Sequence, residues 1–179
     1  MDARELADLI SSPEAVPASG WVAAVTAAFG AALVAKVASR SEGWTGAAGA
    51  QAQAAGLRER LLDLAAEDAR VYESALSALE DPGADLAGAL AESADVPLAI
   101  AEASADVALL AASAAECADG AARADAAAAA ALAAGAARAS AKLIAVNLAT
   151  APGDVRIAAA DRALETADGA ARAAFVSDM

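Results

Sequence analysis

The sequence predicts an all-α protein, a multihelical bundle of long helices. Three observations carry that expectation. Alanine supplies 65 of the 179 residues, and alanine is the best helix former and is depleted in strands. The 5 prolines and many of the 12 glycines gather at a few points and leave long segments between them. Within those segments the larger apolar residues recur at spacings of three and four, the signature of one helical face.

Residues 2–11 read as a short first helix. The stretch SSPEAVPASG, 11–20, holds two prolines and a glycine and is a loop. A second helix is expected over 20–40, followed by a glycine-rich loop, SEGWTGAAG, at 41–49. The third helix is expected over 50–80, stopping at Asp81-Pro82-Gly83. A fourth covers 84–117 and should bend at Pro97, because proline removes one backbone hydrogen bond and crowds the preceding turn. Asp119-Gly120 marks a short break before a fifth helix over 121–149, which ends ahead of Pro152-Gly153. A sixth covers 154–175. No shift in composition suggests a linker, so 1–179 reads as a single domain.

In the third helix Leu57, Leu61, Leu64, Asp68, Val71, Ala75 and Ala78 form a narrow seam. In the fourth, Leu86, Leu90, Pro97, Ile100, Val107 and Leu110 do the same. Small residues beside the seams let backbones approach closely. A core so poor in aromatics, 3% of residues, buries little area per residue. At roughly 25 cal/mol per Å² that favours self-association, and a homodimer is expected.

Composition also excludes. A net charge of −13 without a basic stretch argues against nucleic acid and anionic membrane surfaces as partners. With no histidine there is no imidazole base and no His-ligated metal. The lone Cys117 allows neither an internal disulfide nor a thiolate cluster, so no metal is expected, and a reducing, cytoplasmic location is. MDARELADLI lacks the build of a signal peptide. The most apolar run, residues 22–35, is shorter than the ~20 residues of a membrane span.

Polar residues on apolar seams are the candidates for chemistry. Asp68 lies between Leu64 and Val71–Tyr72. It either sits near solvent or pairs with an arginine, or it is an interior acid of raised pKa. Asp125 continues a line through Leu132, Ala139, Leu143 and Val146, but it also stands near a helix N-terminus, where an anion complements the macrodipole. Asn147 shares a face with Leu143 and Ile144, and its amide needs a structural or ligand partner. Lys36, one of only two lysines, extends the line Val22–Phe29, and snorkelling at the helix end would explain it. Glu92, Asp95, Glu102 and Asp106 read as a solvated acidic face.

Residues 17–38, PASGWVAAVTAAFGAALVAKVA, resemble the cyclodeaminase/cyclohydrolase family, which includes the cyclodeaminase part of formiminotransferase-cyclodeaminase and bacterial methenyltetrahydrofolate cyclohydrolases. EDARVYESAL at 67–76 is similar to the family's Asp-x-x-x-Phe/Tyr helix, Val96-Pro97-Leu98 to its Val-Pro-Leu turn, and 124–148 to its Ser-Asp…Ile-Asn-Leu helix. The four pieces, in order and at the right spacing, span roughly residues 1–150.

The resemblance implies an all-α dimeric fold and C–N chemistry on a tetrahydrofolate derivative, without a cofactor. Proton transfer would fall to carboxylates, Asp68 and Asp125. Substrate binding would fall to the 17–21 loop (Pro17, Ala18, Ser19, Gly20, Trp21), with Lys36, Tyr72 and Asn147. The chain also departs from the pattern. Two glycines of the family's Pro-Gly-Gly-Gly-Ser loop are lost, and Trp21 stands for its serine, where it could fill the pocket or stack on a ligand. Ala124 replaces the serine before Asp125, Leu143 replaces an asparagine, Lys36 occupies a usually apolar position, and SEGWTGAAG replaces a lysine-containing segment. The alternatives are a relative acting on a non-folate amine, imine or amidine, or a non-catalytic helical dimer.

Overall fold

The structure, a computed structural model, describes residues 2–41, 43–80, 83 and 85–176. Among them are seven α-helices and no strand: α1 Ala3–Ile10, α2 Ser19–Arg40, α3 Ala47–Glu80, α4 Leu86–Glu92, α5 Asp95–Cys117, α6 Gly120–Asn147 and α7 Val155–Val176. The all-α expectation holds, and the helix ends fall close to the residues that punctuate the sequence. Of the expected stop at Asp81-Pro82-Gly83, the first two residues lie outside the described ones.

The fourth expected helix is two helices. Pro97 lacks the N–H that would bond to the Ser93 carbonyl, so the chain breaks at Ser93–Ala94 instead of bending. Pro97 then falls in the first turn of α5, where a missing N–H costs nothing. α1 is closed by a capping box between Asp2 and Glu5 and buries no residue.

α2 and α5 are the inner helices. α2 packs on α3, α5 and α6, and α5 packs on α6 and α7 as well. The seam of α3 turns inward as expected, with Leu57, Leu61, Leu64 and Asp68 buried. Glu92, Asp95, Glu102 and Asp106 are exposed, as the solvated-face reading requires.

Two expected seams face the other way. Of the line Asp125–Leu132–Ala139–Leu143–Val146 of α6, the part up to Ala139 lies on the outer face and only Leu143 and Val146 reach a cleft, while the inner face is Ala126, Ala129, Ala130, Ala133, Ala137 and their neighbours. Likewise Phe29 of α2 is 56% exposed, and Ala24, Ala27, Ala31 and Val34 point inward. The cause is close packing. A Cβ on Gly30 would come 3.1 Å from the Ala129 carbonyl oxygen and 3.4 Å from Val107 Cγ1. Helices this close admit only small side chains between them, and the larger ones are left outside.

The helical segments 19–40, 86–117 (α4 and α5 together) and 120–147 are long and apolar enough to cross a membrane by length and composition, alanine extending the apolar run at 22–35. From 44% to 61% of their most apolar windows is buried inside the bundle.

Candidate active site

The site is built at the N-terminus of α2. Its N-cap is Ala18, which has no side chain to accept a hydrogen bond from the free amides of the first turn. Asp68, from the middle of α3, supplies that acceptor from across the bundle. Its carboxyl packs against the Gly20 Cα, and the Trp21 backbone N–H donates to it. Gly20 is required here: a Cβ would come 2.5 Å from Asp68 Cγ and 2.6 Å from Oδ2. The seam that buries Asp68 and the loss of a local cap at Ala18 are two halves of one arrangement.

Asp68 is 8% exposed, and no cation among the described residues pairs with it. Burial pushes its carboxyl above the ordinary range, and the Trp21 N–H partly offsets that rise. Of the readings open in the sequence, arginine pairing is thereby set aside. Asp68 is an interior acid whose proton is held more firmly than usual.

It opens on a cleft of about 390 Å³ between α2, α3, α4 and the C-terminal end of α6. Val71, Leu79, Leu86, Leu90, Leu143 and Val146 give the cleft an apolar wall, and Tyr72, Ser93 and Asn147 add polar groups. Asn147 Nδ2 donates to Ser93 Oγ at 3.0 Å, and Ser93 Oγ donates to the Leu90 carbonyl at 2.7 Å. Arg156 fixes the α4–α5 elbow that carries Ser93. It donates to the Ala91 carbonyl, to Asp95 and to Asp154, each within 3.0 Å. The Arg156 guanidinium holds the Asp154 carboxyl down at about 2.

The structure therefore brings together Ala18, Ser19, Gly20, Asp68, Tyr72 and Asn147. Pro17 lines a neighbouring groove between α2 and α6 with Val22 and Ala139. Trp21 offers the cleft only its backbone; its ring packs on the core, so it neither fills the pocket nor stands in its wall. Asp125 and Lys36 are elsewhere. Lys36 Nζ pairs with Asp125 Oδ2 at 2.7 Å, both side chains well exposed. That pair lies sixteen residues along α2 from Gly20, about 24 Å at 1.5 Å per residue. Within one chain the two acids do not share a site. Sequence reasoning missed Ser93. The only signal for it was its position four residues before Pro97, where the helix must break.

The described residues thus form an all-α bundle with a buried acid opening on an apolar cleft. Residues 2–166 match the formiminotransferase-cyclodeaminase family, and the chain belongs to it. No curated protein sequence matches it. Among solved structures, the fold is similar to that of a formiminotetrahydrofolate cyclodeaminase from Thermotoga maritima. The TM-score is 0.85 and the identity 21%, covering 99% of this chain and 95% of that one.

Proposed function

We propose that the protein breaks or makes a C–N bond at the one-carbon unit of a tetrahydrofolate derivative, with Asp68 as the proton-transfer group. In the cyclodeaminase direction, N10 attacks the formimino carbon, and the tetrahedral carbon then releases its amino nitrogen as ammonia. The leaving nitrogen must gain a proton, and the attacking nitrogen must lose one. In the cyclohydrolase direction, water adds to the methenyl carbon, loses a proton, and one ring nitrogen departs. A carboxyl of raised pKa suits either course, since it holds its proton more firmly than an ordinary carboxylate does and can exchange it within the cleft. The observation that supports this reading most is the placement of Asp68, buried at the cleft end and in contact with the α2 N-terminus. Asn147 and Ser93 offer hydrogen bonds to the ring system, and the leucine wall excludes water from the reacting carbon.

A second copy of the chain is the proposed partner. It would cover the outer face of α2 and α6, where Val22, Thr26 and Phe29 run beside Leu132 and Ala139. The Lys36–Asp125 ion pair lies at one end of that face.

The test is spectroscopic. Purified protein is mixed with 5-formiminotetrahydrofolate and, separately, with 5,10-methenyltetrahydrofolate, and the near-ultraviolet absorbance of the methenyl bridge is followed. A gain above the spontaneous rate marks the deaminase course and a loss marks the hydrolase course. Asp68→Asn should abolish either while keeping the helix content, because asparagine caps a helix as well as aspartate does. No acceleration with either compound, or full activity in Asp68→Asn, overturns the reading.

A further inference from the structure

We infer that Ser93 and Arg156 are positioning residues: together they hold the Asn147 side chain in one amide orientation, with Nδ2 tied to the protein and Oδ1 presented to the cleft. The orientation stands on hydrogen bonds alone, and its bearing on turnover rests on the folate chemistry proposed above.

The position of one proton decides the orientation. α4 ends at Glu92, so the Leu90 carbonyl lies in its last turn, where carbonyls lack intrahelical donors. The Ser93 N–H donates to the Ala89 carbonyl and the Ala94 N–H to that of Ala91. The Leu90 carbonyl is left for the Ser93 hydroxyl, 2.7 Å away. A carbonyl oxygen only accepts, so the single hydroxyl proton of Ser93 points at Leu90. Toward Asn147, 3.0 Å off, Ser93 Oγ therefore turns lone pairs. The carboxamide must meet them with its NH2 group, since its oxygen there would set two acceptors against each other. Asn147 Oδ1 accepts from no donor among the described residues, and Asn147 stands in the cleft wall. What this side chain offers a bound ring system is thus an acceptor for an N–H.

Ser93 is held in turn by Arg156. It lies at the break between α4 and α5, where Pro97 withholds the N–H that would have continued the helix. Arg156, in the first turn of α7, spans that break. Its Nη1 donates to the Ala91 carbonyl on one side and to Asp95 Oδ1 on the other, both at 2.7 Å. Its Nε and Nη2 grip the two oxygens of Asp154 at 3.0 and 2.8 Å. The Arg156 and Asp154 side chains are each 21% exposed, so this half of the network is largely shielded from water. Residues on both sides of Ser93 are thereby pinned to one planar guanidinium, which fixes where the hydroxyl meets Asn147, 54 residues further along the chain.

Asn147 is the one asparagine of the chain, and its only glutamines, Gln51 and Gln53, are exposed. Side-chain amide exchange in the full chain, followed by nuclear magnetic resonance, therefore reads Asn147 directly against two free references. In the wild type, one Asn147 Nδ2 proton should exchange about tenfold more slowly than the glutamine protons. Ser93→Ala and Arg156→Ala should each bring it to within about threefold of them, and Arg156→Lys should fall between. Turnover of 5-formimino- or 5,10-methenyltetrahydrofolate gives the second arm. Ser93→Ala should raise KM about threefold to tenfold with kcat little changed, as loss of a hydrogen bond made equally in ground and transition states does. In an Asn147→Ala background the same change should leave KM where it was, because its effect runs through the amide. A serine that only caps α4 would cost the same in both backgrounds. Equal KM effects in the two backgrounds, or a wild-type Asn147 amide as fast as the glutamines, overturns the inference. Exchange needs no substrate: if neither folate compound is turned over, the proposed function falls and exchange alone decides the amide orientation.

Discussion

Gly20→Ala is the substitution through which the site's construction is most directly read. In an ordinary helix the change stabilises, by about 1 kcal/mol, because alanine is the better helix former. Gly56, on the exposed face of α3 with nothing within 4 Å of a built Cβ, is such a position. At Gly20 the new methyl would stand 2.5 Å from Asp68 Cγ and 2.6 Å from Oδ2. Overpacking of this kind costs about 1–3 kcal/mol. If the carboxyl swings away, α2 also loses the acceptor that Ala18 cannot supply, worth about 0.5–2 kcal/mol. Set against the propensity gain, the net change is a destabilisation of about 2 kcal/mol, which for a chain of this length lowers Tm by roughly 4–8 °C. Gly56→Ala should raise Tm by a few degrees, about 2–4 °C. Thermal unfolding followed by circular dichroism checks both. The double variant Gly20→Ala/Asp68→Ala removes the clash, so its loss should be smaller than the sum of the single losses. A Gly20→Ala protein as stable as Gly56→Ala, with losses that simply add, would refute the contact between α3 and the α2 N-terminus.

Further outcomes follow from the same geometry. The Asp68 carboxyl is pushed by burial above the ordinary carboxylate value of 3.8, so the folded state binds its proton more tightly than the unfolded chain. Wild-type stability should decline as pH rises from about 3.8 through the folded value and level off above it, and Asp68→Asn should lack that decline; parallel curves in a denaturant series at stepped pH would count against it. The exposed Lys36–Asp125 pair contributes less than about 1 kcal/mol, so Lys36→Met should leave Tm within about 4 °C of wild type; a larger drop would mean that the pair organises the fold. The proposed pairing of two chains through the α2–α6 face predicts a wild-type dimer in sedimentation velocity and a folded monomer for Phe29→Asp; a monomeric wild type, or a dimer that persists in the variant, would count against it. Arg156→Ala should loosen the Ser93 elbow and raise KM, with Arg156→Lys restoring it incompletely, since lysine lacks the planar fork that reaches three partners at once.

Helices here are local consequences of the sequence. Alanine propensity, the Asp2–Glu5 capping box and the proline–glycine breaks act over a few residues, which is why the all-α class and most helix limits were legible in the sequence, although the break at Ser93–Ala94 was read as a bend at Pro97. Asp68 was legible for a related reason: α3 carries leucines on its inward face, so their spacing marks the seam on which the acid lies. The resemblance to known relatives was likewise visible in the order of four short segments.

Which way α2 and α6 turn was settled only by tertiary packing. A large side chain marks the core when the space between helices is large, but at the Gly30–Ala129 crossing only methyl groups fit. There the core is alanine, the bulky residues lie outside, and the line through Leu132 to Asp125 points to solvent instead of a cleft. Tertiary packing likewise joined residues distant in sequence: Asp68 with the uncapped end of α2, Asn147 with Ser93, and Asp125 with Lys36. Local propensity acts over one helical turn, whereas these pairings depend on where whole helices cross. The sequence by itself therefore determined the all-α class and the seam on which Asp68 lies, and the crossings decided that this acid is buried at an apolar cleft while its expected companion stands about 24 Å away.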